Sequence, residues 1–322
     1  MVIIRGSTNV TSRFTKAVVT IGNFDGVHCG HQAIFTRLSS LSRLHDGAPR
    51  VVITFEPHPR QFLSANKTIL ARITGLRAKI RRLEEVGVDG VLVLGFSHPL
   101  ATLSAADFVQ RYLIHGLKVR EVLVGENFRF GSGGQGNLET MRKMGEIAGF
   151  GVHGQPLQRV GDTVISSSMI RKAVSAGDLQ QAGAMLGRPF EMEGRVLPGA
   201  QRGRTLGFPT ANIPVKNMLH PPLGVWVVQG WVDGRWWGGV ANLGRNPTFG
   251  GGGWVTLETH LLGYSGELYR RWLRVRFLQF IRPERTFPGV DALKKQIAQD
   301  VREAARYLEN LAAMNAKDQG VE

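Results

Sequence analysis

The 322-residue sequence contains a single cysteine, Cys29, which excludes a disulfide framework and any metal site built only from thiolates. No stretch approaches the ~20 consecutive apolar residues that a membrane-spanning helix needs. Residues 1–10 also lack the apolar core of a secretory signal. These absences predict a soluble, cytoplasmic protein with no membrane partner.

Positive charge and glycine are both abundant. The chain has 40 Lys and Arg against 25 Asp and Glu, a formal net charge of +15, which favours anionic partners without separating nucleotides from nucleic acids. The basic residues are dispersed, with no run of five or six like charges, so a basic tail is not expected. The 41 glycines follow no strict period, which excludes collagen and assigns them to turns and to close approaches of the backbone to a ligand.

The first part of the chain, residues 1–185, alternates short apolar runs with helical patterns. This alternation is typical of βαβ units, which form a doubly wound parallel sheet covered by helices on both faces. Ligands of such sheets bind outside the carboxyl ends of the strands. We expect strands at 18–21, 51–55, 90–94 and 121–124, and helices at about 30–44, 76–86, 104–114 and 138–148.

The second part, residues 186–322, has a different pattern. Short strand-like runs separated by Gly and Pro predict a small antiparallel β-barrel or sandwich, and a 3.6-residue apolar period predicts a terminal helix. The expected strands are 193–197, 224–232, 235–243, 255–262 and 273–280. Within the last strand, alternation predicts Leu273, Val275 and Phe277 in the core, and Arg274 and Arg276 in solvent. The fold class is therefore α/β followed by all-β.

A glycine-rich turn follows the first of these strands at residues 22–31, where the sequence is Gly-Asn-Phe-Asp-Gly-Val-His-Cys-Gly-His. A turn between a strand and a helix start directs backbone N–H groups at a phosphate. His28 and His31 lie three residues apart, so they project to one side of the first helical turn and can stabilise charge that develops at phosphorus.

Two other interpretations of this turn are open. Asp25, His28, Cys29 and His31 could ligate a metal, although their spacing is not that of structural zinc sites and Cys29 points away from the histidines. The two histidines could also have a purely structural role, with their hydrogen bonds satisfied at the start of the helix.

Residues 165–171, Ile-Ser-Ser-Ser-Met-Ile-Arg, open another predicted helix. Serines before an apolar helix are ordinary N-caps. Three serines with Arg171 one turn later also suit an anionic ligand. The segment supports both interpretations equally.

Two segments of the second part carry further candidates. A loop at residues 199–212 combines glycines and arginines that can approach a polyphosphate, and Thr210 and Asn212 offer the oxygen ligands that Mg²⁺ prefers. A basic hairpin turn would explain its glycines but not its Phe-Pro-Thr-Ala-Asn end. Glu258 follows the polar segment 242–249 in an apolar strand, where it is either a surface carboxylate or a general base.

Together these segments resemble the bifunctional riboflavin kinase/FMN adenylyltransferase family, the prokaryotic FAD synthetases, over roughly residues 15–310. The resemblance rests on segments in the family's order: 22–31, 54–59, 128–131 and 165–171 in the first part, and 203–212, 242–249 and 258–260 in the second. It implies that the second domain transfers the γ-phosphoryl group of ATP to riboflavin. The first domain would then join FMN to the adenylyl group of a second ATP, giving FAD and pyrophosphate.

The resemblance also implies roles for individual residues. In the kinase, Glu258 would be the base, Thr210 and Asn212 would hold Mg²⁺, and Asn242 would lie with Glu258 on the flavin side. Kinase residues implied to contact ATP are Gly199, Arg202, Gly203, Arg204, Gly207, Pro209 and Thr210. In the adenylyltransferase, His28 and His31 would be catalytic. Residues implied to contact ATP there are Gly22, Asn23, Phe24, Asp25, Gly30, Ser167, Ser168 and Arg171, and those implied to contact FMN are Asn127 and Phe128.

Some positions depart from the family pattern. Asn127 replaces a usual Asp, Gly134 a usual Arg and Ser168 a usual Thr, and Trp226 replaces a frequent Tyr in the kinase. One alternative is therefore a riboflavin kinase with weak or lost adenylyltransferase activity. Phe55, Phe128 and Trp226 are candidates to stack on the isoalloxazine by their chemistry alone.

Two other function classes compete with this interpretation. A different small-molecule nucleotidyltransferase would have no use for the segment 203–212. A basic RNA-binding protein would need Lys and Arg clustered among exposed aromatics; Arg270, Arg271, Trp272 and Arg274 come closest. We expect small-molecule partners (ATP, riboflavin and FMN), no nucleic acid, and at most a weak homo-oligomer.

Overall fold

The computed structural model describes residues 1–64, 70–199, 202–246 and 254–319. The chain divides into two compact units. The first comprises Met1–Met169 with Met185–Gly187, and the second comprises Ile170–Ala184 with Arg188–Glu322. The domain boundary expected at residue 185 stays a prediction.

The first unit is built on a six-stranded sheet in the order β1-β4-β3-β2-β5-β6, and every neighbouring pair is parallel. Its strands are β1 (Val2–Arg5), β2 (Val18–Ile21), β3 (Arg50–Glu56), β4 (Gly90–Gly95), β5 (Glu121–Gly125) and β6 (Gly151–Gln155). From β2 the chain continues to β3 and β4 on one side, and later to β5 and β6 on the other. The strand order thus reverses at β2, where doubly wound sheets bind their ligands.

Helices cover both faces of this sheet, as predicted. Val18 and Val52 belong to a buried cluster with Leu38, whereas Val19 and Ile53 belong to the cluster on the other face. Successive side chains of a strand point to opposite faces of the sheet. Because helices cover both faces, the strands need near-continuous apolar runs. The helices are α1 (Cys29–Leu44), α2 (Pro59–Leu63), α3 (Leu76–Glu85), α4 (His98–Ala101), α5 (Ala105–Phe108) and α6 (Leu138–Ala148).

Ser104 caps α5, because its hydroxyl accepts a hydrogen bond from the Asp107 N–H at 3.0 Å. The helix then continues with π-helical geometry over Val109–Leu117, three residues beyond the predicted end. A small hairpin, β7 (Arg159–Val160) and β8 (Thr163–Val164), precedes α7 (Ser167–Ala176), which is followed by α8 (Leu179–Leu186).

The second unit contains a six-stranded antiparallel sheet in the order β10-β13-β12-β11-β14-β9. A bridge between Leu197 and Asn212 brings its two edges together, so that the sheet is a nearly closed barrel. The elements are β9 (Glu191–Arg195), α9 (Arg202–Thr205), β10 (Ala211–Pro214), β11 (Gly224–Val232), β12 (Arg235–Asn246), β13 (Trp254–Leu261), β14 (Trp272–Arg282) and α10 (Val290–Gln319). Ala304 of α10 is buried with Val227 and Val240 of the barrel.

The pattern of β14 confirms half of the prediction made for it. Leu273, Val275 and Phe277 are each at most 1% exposed. The expectation that Arg274 and Arg276 lie in solvent is wrong: the Arg274 side chain is only 14% exposed. Its guanidinium lies 4.8 Å from the Trp231 ring centroid and 4.7 Å from that of Trp236. Alternation assigns these arginines to the outer face, but indoles from neighbouring strands cover that face.

Candidate active sites

The turn between β2 and α1 has a strained backbone. Phe24 and Val27 have φ values of 47° and 43°, in the left-handed region that side chains other than glycine rarely adopt. The buried Asp25 carboxylate holds the turn, since it accepts hydrogen bonds from the backbone N–H groups of Ile73 at 3.2 Å and Thr74 at 2.9 Å. Asp25 therefore braces the turn against the segment that precedes α3.

His28 and His31 form one unit at the start of α1. The Nδ1 atom of His28 accepts a hydrogen bond from the His31 N–H at 3.3 Å, so His28 is the N-cap. The two rings stack with centroids 3.5 Å apart. A Cβ on Gly30 would lie 3.2 Å from the His28 ring, which explains a glycine between them. The structural interpretation therefore holds for His28, which satisfies the His31 N–H at the helix start. The stacked pair also places two imidazoles side by side.

The electrostatics favour a neutral His31 imidazole. Burial, reinforced by the neighbouring His28 and Lys79, lowers the pKa of His31 well below 6.5. The Nδ1 atom of His31 and the Oδ1 atom of Asn23 are buried without a hydrogen-bond partner in the described parts of the chain. Buried polar atoms are normally satisfied, so these two atoms indicate a place for a polar ligand.

The metal-site interpretation of this turn finds little support in the geometry. Cys29 faces Gly187, where a Cβ would lie 3.0 Å from its Sγ. Across residues 1–64, 70–199, 202–246 and 254–319, no three His, Cys, Asp or Glu side chains are placed to hold a metal ion.

The serine segment divides its roles between neighbouring residues. The Ser166 hydroxyl accepts a hydrogen bond from the Met169 N–H at 3.2 Å and so caps α7. The Ser167 hydroxyl instead donates to the Asp25 carbonyl at 2.9 Å, which joins the start of α7 to the turn. Ser168 is exposed, and Arg171 lies one helical turn further along α7 than Ser167. The N-cap interpretation is thus confirmed for Ser166, and anion binding by Ser167, Ser168 and Arg171 stays a prediction.

The two residues predicted to contact FMN follow β5 in a tight turn. Asn127 is exposed, and the Phe128 ring is parallel to that of Phe130 with centroids 5.5 Å apart. Gly134 has a φ of 67° and lies beside Arg129, whose Cβ would be 3.6 Å from a Cβ on the glycine. An arginine at position 134 would therefore have a strained backbone.

Sequence reasoning missed part of an aromatic cluster at the same edge of the sheet. Phe55, Phe62 and Phe96 pack edge to face around Phe96, with centroid distances of 5.9 Å and 5.5 Å. Phe62 is 42% exposed. The sequence held one signal for this cluster, because Phe55 lies at the end of β3 and Phe96 lies just after β4.

In the second unit, register brings three of the predicted residues into one row. Glu258 of β13 pairs with Asn212 of β10 on one side and with Asn242 of β12 on the other. Directly paired residues of neighbouring strands project from the same face. Asn242 and Glu258 line a cavity of about 410 Å³ together with Thr210 and His260. Glu258 is therefore a half-buried cavity residue and not a fully exposed surface carboxylate.

The glycines of the predicted loop lie against these polar residues. A Cβ on Gly199 would be 2.5 Å from the Asn212 side chain, and one on Gly203 would be 2.4 Å from the Phe208 carbonyl and 3.3 Å from Thr210 Oγ1. Gly207 has a φ of 89°, a conformation that suits glycine. The side chains of Arg202 and Arg204 and residues 200–201 and 247–249 lie outside the described parts of the chain.

Two further observations complete this site. His260 Nδ1 lies 2.8 Å from the Pro209 carbonyl, which can only accept, so the proton is on Nδ1. Trp226 does not line the cavity: it is 2% exposed, and its ring packs on Phe277 and Phe280. Trp226 is a core residue, so the suggestion that it stacks on a flavin is not supported.

The first unit thus has the site of a nucleotide-binding α/β domain at its strand-order reversal, and the second is a small barrel whose cavity holds a carboxylate. The FAD synthetase family model matches residues 10–169, and the riboflavin kinase family model matches residues 186–308. The chain belongs to the bifunctional riboflavin kinase/FMN adenylyltransferase family.

Individual relatives agree with this assignment. A bifunctional riboflavin kinase/FMN adenylyltransferase from Pseudomonas fluorescens is 42% identical over 308 residues, covering 96% of this chain and 98% of the relative. The protein of the same name from Bacillus subtilis (strain 168) is 36% identical, covering 92% and 94%. A crystal structure described as a macrolide-efflux protein from Streptococcus pneumoniae has a TM-score of 0.82 at 30% identity, covering 95% of this chain and 99% of that one. In this chain, no helix within the described residues is long and apolar enough to cross a membrane.

Proposed function

We propose that this chain makes FAD from riboflavin in two steps, with the barrel cavity around Glu258 as the kinase site and the His28–His31 turn as the adenylyltransferase site. The activities follow from the family, and the assignment of residues rests on the cross-strand row of Asn212, Glu258 and Asn242, of which Glu258 and Asn242 line the cavity. Its substrates are ATP, riboflavin and FMN. The cytoplasm as its location, the absence of nucleic-acid partners and weak self-association stay predictions.

In the kinase step, the ribityl hydroxyl of riboflavin attacks the γ-phosphorus of ATP. The new O–P bond forms as the bond to the β-phosphate oxygen breaks, and ADP leaves. Glu258 accepts the hydroxyl proton, a role that suits a carboxylate inside a cavity. His260 holds the Pro209 carbonyl and thereby orients the adjoining Thr210. Most of the catalysis comes from positioning and from charge stabilisation.

Thr210 and Asn212 fit a magnesium ion. Both are neutral oxygen donors of the type that Mg²⁺ prefers. A side chain at position 199 would collide with Asn212, and one at position 203 would lie 3.3 Å from Thr210 Oγ1. When bound with ATP, the ion would neutralise charge on the phosphates. The protein groups orient the nucleotide around it.

In the adenylyltransferase step, a phosphate oxygen of FMN attacks the α-phosphorus of ATP, and the bond to the β-phosphate oxygen breaks to release pyrophosphate. Because the nucleophile is already anionic, no strong base is needed. The two imidazoles and the backbone N–H groups at the start of α1 donate hydrogen bonds to phosphate oxygens. The Phe55–Phe62–Phe96 cluster and Phe128 provide aromatic surface for the isoalloxazine at the same edge of the sheet.

A time course of riboflavin with ATP and Mg²⁺, with FMN and FAD separated by chromatography, tests this proposal. We expect FMN to rise and then decline as FAD accumulates. FMN that never gives FAD would support the alternative of a kinase with a lost second activity and would implicate Asn127 and Gly134. Binding of ATP without either product would show that the flavin assignment is wrong.

The RNA-binding alternative is less well supported by the structure. Arg274, one of its candidate contacts, stacks on two tryptophans and lies 3.9 Å from the Glu191 carboxylate. We expect excess RNA at moderate salt to leave riboflavin phosphorylation unchanged, and strong inhibition would contradict this expectation.

A further inference from the structure

Lys79 is a buried charge that the two proposed reactions do not use. It lies on α3 at the spacing of the apolar residues Leu76, Ile80 and Leu83, and it is 4% exposed. A lysine at a core-facing position is unusual because burying an ammonium group costs free energy. Burial accordingly lowers the pKa of Lys79.

The ammonium group is connected to the phosphate-binding turn through one hydroxyl. Lys79 Nζ donates to Thr54 Oγ1 at 3.3 Å, and Thr54 Oγ1 donates to the Asn23 carbonyl at 3.4 Å. Thr54 is fully buried near the carboxyl end of β3. The contacts therefore run from the helix, across the strand end, to the turn that carries His28 and His31.

The charged groups around Lys79 belong to the same edge of the sheet. Asp25 and Glu56 favour its charged form, and Arg72 disfavours it. On the turn, His31 is held neutral by burial and by the charges of His28 and Lys79. A methionine would fill the position without the cost of a buried charge, so stability alone does not explain the lysine.

We propose that Lys79 is a positioning residue for adenylyl transfer, which holds the His28–His31 turn against the end of β3 through Thr54 and places a fixed positive charge beside it. This inference rests on the proposed adenylyltransferase site. The charge complements the triphosphate that the turn receives. The buried lysine therefore lowers the stability of the fold in return for function, a trade-off that is common at active sites.

The test compares Lys79→Met, Lys79→Arg and Thr54→Val in the full chain. We expect Lys79→Met to lower kcat/KM for ATP in FAD synthesis from supplied FMN by about tenfold or more. Lys79→Arg should restore most of this loss, and Thr54→Val should lose about threefold. The double variant should be no worse than Lys79→Met alone, because both changes break the same chain of contacts.

Riboflavin phosphorylation by the same preparation is the internal control for enzyme concentration, since Glu258 lies in the other unit. The matched variant is Lys143→Met, which removes a lysine with a 71% exposed side chain and should not change FAD synthesis. We expect the midpoint of thermal unfolding of Lys79→Met to be unchanged or higher. If the midpoint of Lys79→Met is lower, its loss of activity could reflect instability, and the test then rests on Thr54→Val. Undiminished FAD synthesis in Thr54→Val overturns the proposal.

The pKa of His31, followed by NMR of labelled histidines, supplies a readout besides activity. It should rise in Lys79→Met because a neighbouring like charge is gone, and an unchanged pKa overturns the electrostatic link. Lys79→Met with FAD synthesis equal to that of the original chain overturns the role of Lys79 alone. An original chain that stops at FMN overturns the proposed adenylyltransferase site instead.

Discussion

The two proposed sites handle phosphorus chemistry with different protein groups. The first places two stacked imidazoles and backbone N–H groups at a strained turn, with the Asp25 carboxylate engaged by backbone N–H groups. The second places the Glu258 carboxylate inside a cavity between two asparagines on neighbouring strands. The difference follows the nucleophile: a flavin hydroxyl must lose a proton, whereas an FMN phosphate is already anionic.

The folds suit these two tasks. A parallel sheet collects loops and a helix start at its carboxyl edge, which provides N–H donors for phosphates. A small antiparallel barrel projects paired side chains from several strands on the same face, and here that face lines a cavity with α10, which suits a carboxylate that needs fixed neighbours. The comparison is open to test because both activities belong to one chain, so each site serves as the control for the other.

The largest expected effect is the loss of one reaction with the other intact. Glu258→Gln should slow FMN formation by about 10²- to 10⁴-fold because it removes the base, while FAD synthesis from supplied FMN is unchanged. His28→Ala should do the reverse, with a loss of about 10²-fold or more in FAD synthesis. Initial rates of each product measure both effects.

Matched controls for these variants are Glu309→Gln and His98→Ala, which change exposed residues outside both sites. Both controls should keep both activities. If Glu258→Gln also abolished FAD synthesis from FMN, the separation of roles between the sites would be wrong.

A smaller effect is expected from the glycine between the histidines. Gly30→Ala places a Cβ 3.2 Å from the His28 ring, which should displace the ring and lower FAD synthesis about tenfold, while FMN formation is unchanged. The unfolding temperature should not fall, because alanine favours the helix over glycine by about 1 kcal/mol.

Gly289→Ala is the matched control, since a Cβ there meets nothing within 4 Å. Equal rates of FAD synthesis in Gly30→Ala and the original chain would show that the ring position of His28 is unimportant.

The smallest expected effect is on stability at acidic pH. Burial and neighbouring like charges hold the pKa of His31 below 6.5 in the folded state, so the unfolded chain binds more protons as the pH falls through 6.5. The contribution of neutral His31 to stability is complete above that pH and is lost as the pH falls from 6.5 towards the lowered pKa.

Urea unfolding from pH 7.5 to 5 should therefore show a decline that is shallower in His31→Gln. The variant His98→Ala should retain the decline of the original chain. An equal decline in His31→Gln and the original chain would mean that His31 does not carry this pH dependence.

Local pattern was sufficient for most of the secondary structure. The expected bounds of β2, α6 and β11 agree with the structure because each has a clear apolar run or a good helix start. At α6, for example, Asn137 caps the first turn and Gly149 ends the helix with a φ of 76°. The strands β1, β6 and β10 were missed because they are short, and β6 contains two glycines and polar residues in place of an apolar run.

The candidate sites divide in the same way. His28, His31, Thr210 and Asn212 were found because their chemistry is carried by a short contiguous motif. The row that joins Asn212, Glu258 and Asn242 depends on strand register, which a single sequence does not reveal. The bracing role of Asp25 depends on Thr74, 49 residues away, and the aromatic cluster combines residues from separate loops.

Composition, period and motif spacing thus predicted two domains, their fold classes and two candidate phosphate-binding segments, because each of these depends on neighbours along the chain. The tertiary structure decided that Trp226 belongs to the core, that Arg274 lies among tryptophans and that Lys79 is buried beside the turn. Burial, register and the field of distant charges arise only when remote segments pack together, so they are properties of the folded chain.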